Sequence, residues 1–304
     1  MIPEFPKFKN LELSDKEEIE DLNSQFPPYS DFHFITIYCW DIDNNTLISK
    51  LKGNLVIKQI DCMSDEQFYS FLGLNSVPET VEEISAYLNN NSLPLLLRWM
   101  PEITVNCLNG LNASITEDRD FFDYIYNVND IYNSSGRKYS TYRNDISRFV
   151  RNYQNISTKI VDINNDMTKN QIINLFQAWA RNKEAENKFC ENIYEFKALN
   201  KLLSSATKFS SLVSVAVFDN DEMIAFIIND LVDFECGCAL FWKAKTQYLG
   251  IYQFLMQENI KLYHAKGIKL LSFESDLGVE TLKKSKLHYH PTTFLKKYKI
   301  EIYN

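Results

Sequence analysis

Two stretches carry residues of the types that bind an anion and move an activated group. The first is SSGRKYSTYRNDISRF, Ser134 to Phe149, where Arg137 and Lys138 stand just before a run with helical spacing. The N-terminal end of a helix repels cations and attracts anions. The free N–H groups there already form an anion site, and an arginine fork holds two phosphate oxygens at once. Arg137, Lys138, Arg143 and Asn144 are therefore candidates to hold a phosphate. The competing reading is a solvated helix start with ordinary surface salt bridges. The second stretch is Gln247-Tyr-Leu-Gly250-Ile-Tyr252, a glycine turn between a strand-like and a helical run. Backbone N–H groups converge in such a turn, and Lys243 at the preceding strand end could add a cation. Its plain alternative is a strand-to-helix turn that uses Gly250 for backbone freedom.

Groups able to move a proton are sparse. Glu274 and Asp276 follow the apolar run IKLLSF and precede Gly278. A carboxylate at a strand end can accept the proton of an attacking amine; Asp276 could equally cap the helix VETLKKSK. Tyr289, with His290 and Pro291, is a candidate pocket lining. His288 or His290 could act as a base near neutral pH, or could simply pack. No Ser-His-Asp set and no nucleophile elbow is present. That agrees with transfer from an already activated ester or thioester, which needs proximity, deprotonation and oxyanion donors.

The elements that must position these residues follow from periodicity. Ser140 to Tyr153 has apolar side chains at 142, 146, 149 and 153, a helical stripe. Residues 170–186 and 191–206 read as two more helices. LVSVAVF and MIAFIINDLV flank the turn DNDE as a hairpin, and FECGCALFWKA is a further strand. A helix stopped by Gly267 and the buried strand IKLLSFES complete the order. In the first half, residues 15–24, DEQFYSFLGL and PETVEEISAYLNN read as helices. FHFITIYCW (32–40), TLISKL and NLVIKQI read as strands. The sum is an α/β protein.

Composition narrows the function classes. The chain has 304 residues, 45% of them hydrophobic, and a formal net charge of −8, which argues against broad binding to nucleic acid. Basic charge is local: Arg137 to Arg151 holds five Lys/Arg against one Asp, and Lys283 to Lys299 holds six lysines and no acid. The six cysteines form no CxxC pair and show no metal spacing; Cys236 and Cys238 read as buried thiols. The N-terminus has neither signal nor transit character, and no apolar run nears the ~20 residues of a membrane span. These features lead to the expectation of a reduced, soluble, cytosolic protein.

The strand–Gln247-x-x-Gly250-x-Tyr252–helix–strand unit resembles the acetyltransferase superfamily. Four stretches, PPYSDFHFITIYCW, DYIYNVNDIYNSSGRKYSTYRNDISRF, FWKAKTQYLGIYQFLMQEN and ESDLGVETLKKSKLHYHP, resemble the phosphatidylglycerol lysyltransferase C-terminal-like family over nearly the whole chain. The resemblance implies an α/β (α+β) fold of two tandem acetyltransferase-like domains, residues 1–134 and 135–304. Each would be a mixed, mostly antiparallel sheet flanked by helices, and the second would hold the donor. It implies transfer of an aminoacyl or acyl group from aminoacyl-tRNA, or from acyl-coenzyme A in the alternative, with no tightly bound cofactor and no metal. The acceptor would be an amine or hydroxyl of a small molecule, peptide or lipid headgroup, held in the cleft between the domains. In that reading Glu274, Asp276 and Tyr289 serve the chemistry. Arg137, Lys138, Arg143, Asn144, Lys243, Gln247 and Gly250 serve the donor. A binding module that kept the fold without the chemistry is the third possibility.

Overall fold

The computed structural model describes residues 1–60, 66–108, 112–184, 189–231 and 235–303. In chain order the elements are β1 (Lys9–Asn10), α1 (Lys16–Asn23), α2 (Phe34–Trp40), β2 (Leu47–Leu51), β3 (Asn54–Ile60), β4 (Gln67–Leu72), α3 (Val77–Asn90), β5 (Leu96–Pro101), α4 (Glu102–Val105), β6 (Ala113–Glu117) and β7 (Asp123–Asn127). They continue as α5 (Val128–Asn133), α6 (Ser140–Asn152), β8 (Ile156–Val161), α7 (Asp166–Glu184), α8 (Phe189–Ser205), β9 (Leu212–Asp219), β10 (Glu222–Leu231) and β11 (Cys236–Ala244). Last come α9 (Ile251–Ala265), β12 (Leu270–Ser272), α10 (Glu280–Leu287), β13 (Thr293–Leu295) and β14 (Lys297–Ile302). Short 3-10 turns link several of them.

Two seven-stranded sheets result, in the orders β1-β2-β3-β4-β5-β14-β6 and β13-β7-β12-β11-β10-β9-β8. Both are mostly antiparallel; among the described pairings β4 with β5 and β11 with β12 run parallel. The fold is therefore the mixed α/β architecture expected. The hairpin β9–β10, β11 and β12 share one sheet, and α9 is helical from Ile251 as the spacing predicts.

The division of the chain differs from a split near residue 134. One compact unit comprises Met1–Asp123, Ser275–Glu280 and Phe294–Asn304; the other comprises Tyr124–Glu274 and Thr281–Thr293. The reason is pairing: β14 lies between β5 and β6 in the first sheet, while β7 pairs with β12 in the second.

Two local expectations are corrected. The run 32–40 is a helix, α2, preceded by a 3-10 turn, and not a strand. Phe34, Ile35, Ile37 and Cys39 are all buried, so the run shows neither clean period; periodicity cannot separate short buried helices from strands. The run 65–74 contains a strand, β4, and not a helix (Asp65 lies outside the described residues). β4 sits between β3 and β5 with Phe68 to Leu72 buried, again erasing alternation. By contrast α3 shows the spacing it should. Its Val77, Val81, Ile84 and Leu88 are buried with Val56, Phe71 and Leu97 in one core cluster. No helix among the described residues is long and apolar enough to cross a membrane.

Candidate functional site

In the second unit the parallel pair β11–β12 parts early. Its ladder covers only Cys236–Cys238 against Leu270–Ser272. β11 runs on for six more residues, paired with β10 on its other side through Ala244. On the β12 side the chain turns away. Phe273 N–H donates to the Tyr124 carbonyl at 3.0 Å, and Glu274 takes a left-handed φ of 52°. The carboxyl ends of two parallel strands that part are the usual place for a ligand in such sheets.

Aromatic rings collect there. Trp242 of β11 lies 5.1 Å from Phe273 and 5.7 Å from Tyr289, centroid to centroid. Tyr142 of α6 lies 5.9 Å from Tyr289 and 6.2 Å from Tyr139. Tyr252 of α9 and His288 add edge contacts to Trp242 and Tyr289. Tyr139, Tyr142, Phe273 and Tyr289 are buried, while Trp242, Tyr252 and His288 are half-buried, which gives the cluster a floor and a rim.

Four polar atoms of this cluster have no hydrogen-bond partner in the protein: the hydroxyls of Tyr139 and Tyr142, Trp242 Nε1 and His288 Nε2. Leaving a buried donor or acceptor unpaired costs about 1–3 kcal/mol, so four together mark an unusual place. Burial, more than any neighbouring charge, pushes the Tyr139 phenol up to about 12 and lifts those of Tyr142 and Tyr289 as well. Tyr289 is thus un-ionised at neutral pH and can donate a hydrogen bond.

The turn 247–250 is held differently from a phosphate cradle. The Tyr153 hydroxyl donates to the Gln247 carbonyl at 3.2 Å and accepts from Leu249 N–H at 3.1 Å. Gly250 has φ 90° and caps α9. A Cβ on it would lie 2.4 Å from the Asp145 carbonyl oxygen of α6 and 3.2 Å from Phe149 Cβ. Gly250 therefore permits the close crossing of α6 and α9, which Phe149 and Phe254 extend at 4.7 Å between rings.

At the start of α6 the cations divide. Arg143 donates to the Gly136 carbonyl at 3.0 Å and to the Ser134 carbonyl, tying down the positive-φ exit of α5. Lys138 lies 3.8 Å from Asp130 and over the Tyr139 ring, and is half-exposed. Arg148 pairs with Asp145 at 2.8 Å. Arg137 and Asn144 are exposed.

Lys243 is buried and bonded to Glu195 Oε1 at 2.6 Å, with its ammonium 4.1 Å above the Trp179 ring. Glu274 presents its backbone carbonyl to Tyr124 N–H and to Lys286. Asp276 belongs to the first unit. Fully buried, it accepts from Gly278 N–H at 2.9 Å and faces Arg119 at 3.4 Å, so it holds the turn that leads into α10. The six-lysine segment is no free basic face either. Lys286 donates to the Phe273 carbonyl, Lys296 pairs with Glu117, and Lys297 is buried.

Of the sequence candidates, then, Tyr289 lies in the aromatic cluster, and His290 bonds the Lys138 carbonyl at 2.7 Å. Tyr139, Tyr142, Trp242 and Phe273 were not among the candidates. The available signal was chemical type: tyrosine at core positions of an amphipathic helix brings a hydroxyl that must find a partner.

The description "Phosphatidylglycerol lysyltransferase, C-terminal" matches residues 25–301, nearly the whole chain. The chain belongs to this family. A solved structure of a conserved protein of unknown function from Bacteroides thetaiotaomicron VPI-5482 is similar over 100% of both chains, with a TM-score of 0.85 and 22% identity. The structure of L-PGS from Bacillus licheniformis is similar over 100% of this chain and 94% of that one, with a TM-score of 0.62 and 13% identity. Among curated proteins, this family member is 23% identical over 180 residues to uncharacterized protein MYCGA3080 of Mycoplasmoides gallisepticum (strain R(low / passage 15 / clone 2)). The match covers 59% of this chain and 56% of that relative.

Proposed function

We propose that this phosphatidylglycerol lysyltransferase C-terminal family member transfers an aminoacyl group from an activated ester, an aminoacyl-tRNA, to an amine or hydroxyl acceptor. The observation that carries the reading is the parting of β11 and β12 around a cluster of buried aromatic rings with unpaired polar atoms. That is a site shaped for a small group carrying its own hydrogen-bond partners. In the transfer, the acceptor nitrogen or oxygen bonds to the ester carbonyl carbon, the carbon–oxygen bond to the tRNA ribose breaks, and the acceptor's proton ends on the ribose oxygen. Glu274, where the chain leaves β12, is the carboxylate to accept that proton first. Tyr289 donates to the developing oxyanion, since burial keeps its phenol protonated. The exposed Arg137 supplies charge for the tRNA backbone. A coenzyme A donor is less well supported, because Leu249 N–H and the Gln247 carbonyl, central to the turn, are both engaged by Tyr153.

Hydroxylamine, a small acceptor, tests the reading. Incubated with the protein and aminoacylated total tRNA, it should yield amino-acid hydroxamate above the uncatalysed rate, and Glu274→Gln should lower that rate. Hydroxamate from acetyl-coenzyme A, with none from any aminoacyl-tRNA, would replace this reading with the coenzyme A one.

A further inference from the structure

We propose that β8 is the seat of a symmetric dimer, in which the strand pairs antiparallel with β8 of a second copy of this chain, Thr158 facing Thr158. β8 is the outer strand of the second sheet and keeps one unbroken register with β9, from Ile156 opposite Asp219 to Val161 opposite Ser214. Edge strands are normally guarded against pairing by shortness, charge, proline or a bulge. The other sheet ends follow that rule. β1 has two residues and β13 three, and β6 carries Glu117, paired with Lys296. β8 has six residues, ISTKIV, with Lys159 as its one charge. That charge is folded back over its own sheet, the ammonium lying 5.0 Å from the centre of the Phe218 ring, while Ile160 is 64% exposed.

Which main-chain groups face outward follows from the ladder. Asn220 N–H donates to the Asn155 carbonyl at 3.0 Å, across the pair that continues the β8–β9 register. Hydrogen-bonded pairs alternate with unbonded ones in an antiparallel ladder, so Ser157, Lys159 and Val161 direct their N–H and C=O groups to β9. Ile156, Thr158 and Ile160 direct theirs to the free edge, and their side chains share one face. A two-fold axis across such a ladder requires one residue to face its own copy. Centred on Thr158, it sets Ile156 opposite Ile160 of the second copy, and the reverse, each pair exchanging both main-chain hydrogen bonds. Lys159 then faces Ser157 of the second copy. Centring on Lys159 would oppose two ammonium groups, and centring on Ser157 would set Ile160 against the amide of Gln154. Centring nearer either end would shorten the ladder. The Thr158 register thus matches β-branched side chains with one another and leaves no like charges directly opposite. It also seats Ile156 of the second copy against Ile160, at the rim of a cleft of about 300 Å³ lined by Ile160, Ile163, Phe209, Leu212 and Val213. The pairing uses both free edges at once, so it closes as a dimer and does not propagate.

Sedimentation of the full chain over a concentration series tests this. The mass should approach twice that of one chain as concentration rises. Thr158→Pro removes an outward N–H where an edge strand tolerates proline, and should weaken the dimer at least about tenfold. Thr158→Lys keeps the backbone donor but sets two cations opposite each other; it should weaken the dimer to a similar degree, and it carries the test if the proline variant fails to fold. The register has its own readout. Facing residues of a hydrogen-bonded pair lie about 5.5 Å apart between Cα atoms, within disulfide reach, so Thr158→Cys should give a covalent dimer on mild oxidation. In this register the two copies of Ile160→Cys stand about 14 Å apart, four residues along the strand, and should cross-link no more than the parent. Three results would each overturn the proposal: a monomer at every concentration, a dimer that folded Thr158→Pro or Thr158→Lys leaves intact, or cross-linking through Ile160→Cys in preference to Thr158→Cys. The first would leave the β8 edge to an extended segment of another protein.

Discussion

The first unit buries a polar cluster that closes on itself; the second buries one that does not. In the first, Lys297 of β14 has no exposure, and its ammonium lies 3.0 Å from Asp123, 2.9 Å from the Ser30 hydroxyl and in contact with Asp31. Ser30 returns its hydroxyl and its N–H to Asp123 at 2.6 and 2.9 Å. Burial alone would push the Lys297 ammonium down, but Asp123 and Asp31 hold it above its ordinary value. Each ion faces an opposite charge on a distant part of the chain, so this cluster fastens β14 to the segment around residue 30. In the second unit the Tyr139 and Tyr142 hydroxyls, Trp242 Nε1 and His288 Nε2 are buried and find no partner in the protein. Ions that face opposite charges within the protein mark a structural device, and uncharged polar atoms buried without a partner mark a place open to something else.

The largest effect should come from opening the closed cluster. Lys297→Met leaves two carboxylates buried against each other, and breaking a buried pair costs about 3–5 kcal/mol. Denaturant titration should show that loss, with the triple variant Lys297→Met, Asp31→Asn, Asp123→Asn recovering most of it. A loss under about 1 kcal/mol in the single variant would mean the cluster is not fastening anything.

Gly250 belongs with the fastening devices. Gly250→Ala forces a left-handed φ on a side chain and drives its Cβ onto the Asp145 carbonyl. Strain of this kind costs of order 1–3 kcal/mol before the clash is counted. The melting temperature should fall with no ligand present. An unchanged melting temperature with lost donor binding would return this glycine to a phosphate-cradle role.

A pH profile sharpens the contrast further. Burial raises the Asp31 carboxyl to about 6, with Lys297 pulling it back down. The folded state thus binds this proton more tightly than the unfolded chain, whose carboxyl sits near 3.9. The stability it contributes is complete below that unfolded value and is lost as pH rises through about 6. Asp31→Asn should flatten the fall in stability between pH 4 and 6 and leave the profile above pH 7 parallel to the parent. The Tyr139, Tyr142 and Tyr289 phenols, which burial lifts far above that window, should contribute no slope in it.

The sequence carried α3 and α6 through their helical spacing and the β9–β10 hairpin through its turn and β-branched runs, while the two-sheet arrangement was what the family resemblance implied. It hid α2 and β4 because both are buried on nearly every side, and it hid the return of β14 because a strand's partner is not written in its own pattern. The site was legible where one residue's chemistry sufficed, as with Tyr289. It was not legible where the role depends on pairing. Arg143 and Lys243 look like anion ligands until their carbonyl and carboxylate partners appear. Tyr142 looks like core until its hydroxyl proves unpaired.

The smallest effect tests the comparison most directly, because it fixes the sign of a single hydroxyl. Tyr126 and Tyr142 are both buried in the second unit and both end in a phenol. The Tyr126 hydroxyl donates to the Lys286 carbonyl, so Tyr126→Phe removes a made hydrogen bond and should cost about 0.5–1.5 kcal/mol. The Tyr142 hydroxyl is buried without a partner, so Tyr142→Phe removes only an unmet desolvation penalty. It should leave stability unchanged or raise it by up to about 1 kcal/mol, the usual sign where a fold carries a group for function. Chemical denaturation of the two variants beside the parent gives both signs in one experiment. Equal destabilisation by both would mean that the Tyr142 hydroxyl has a partner within the protein after all, and the open cluster would then be as structural as the closed one.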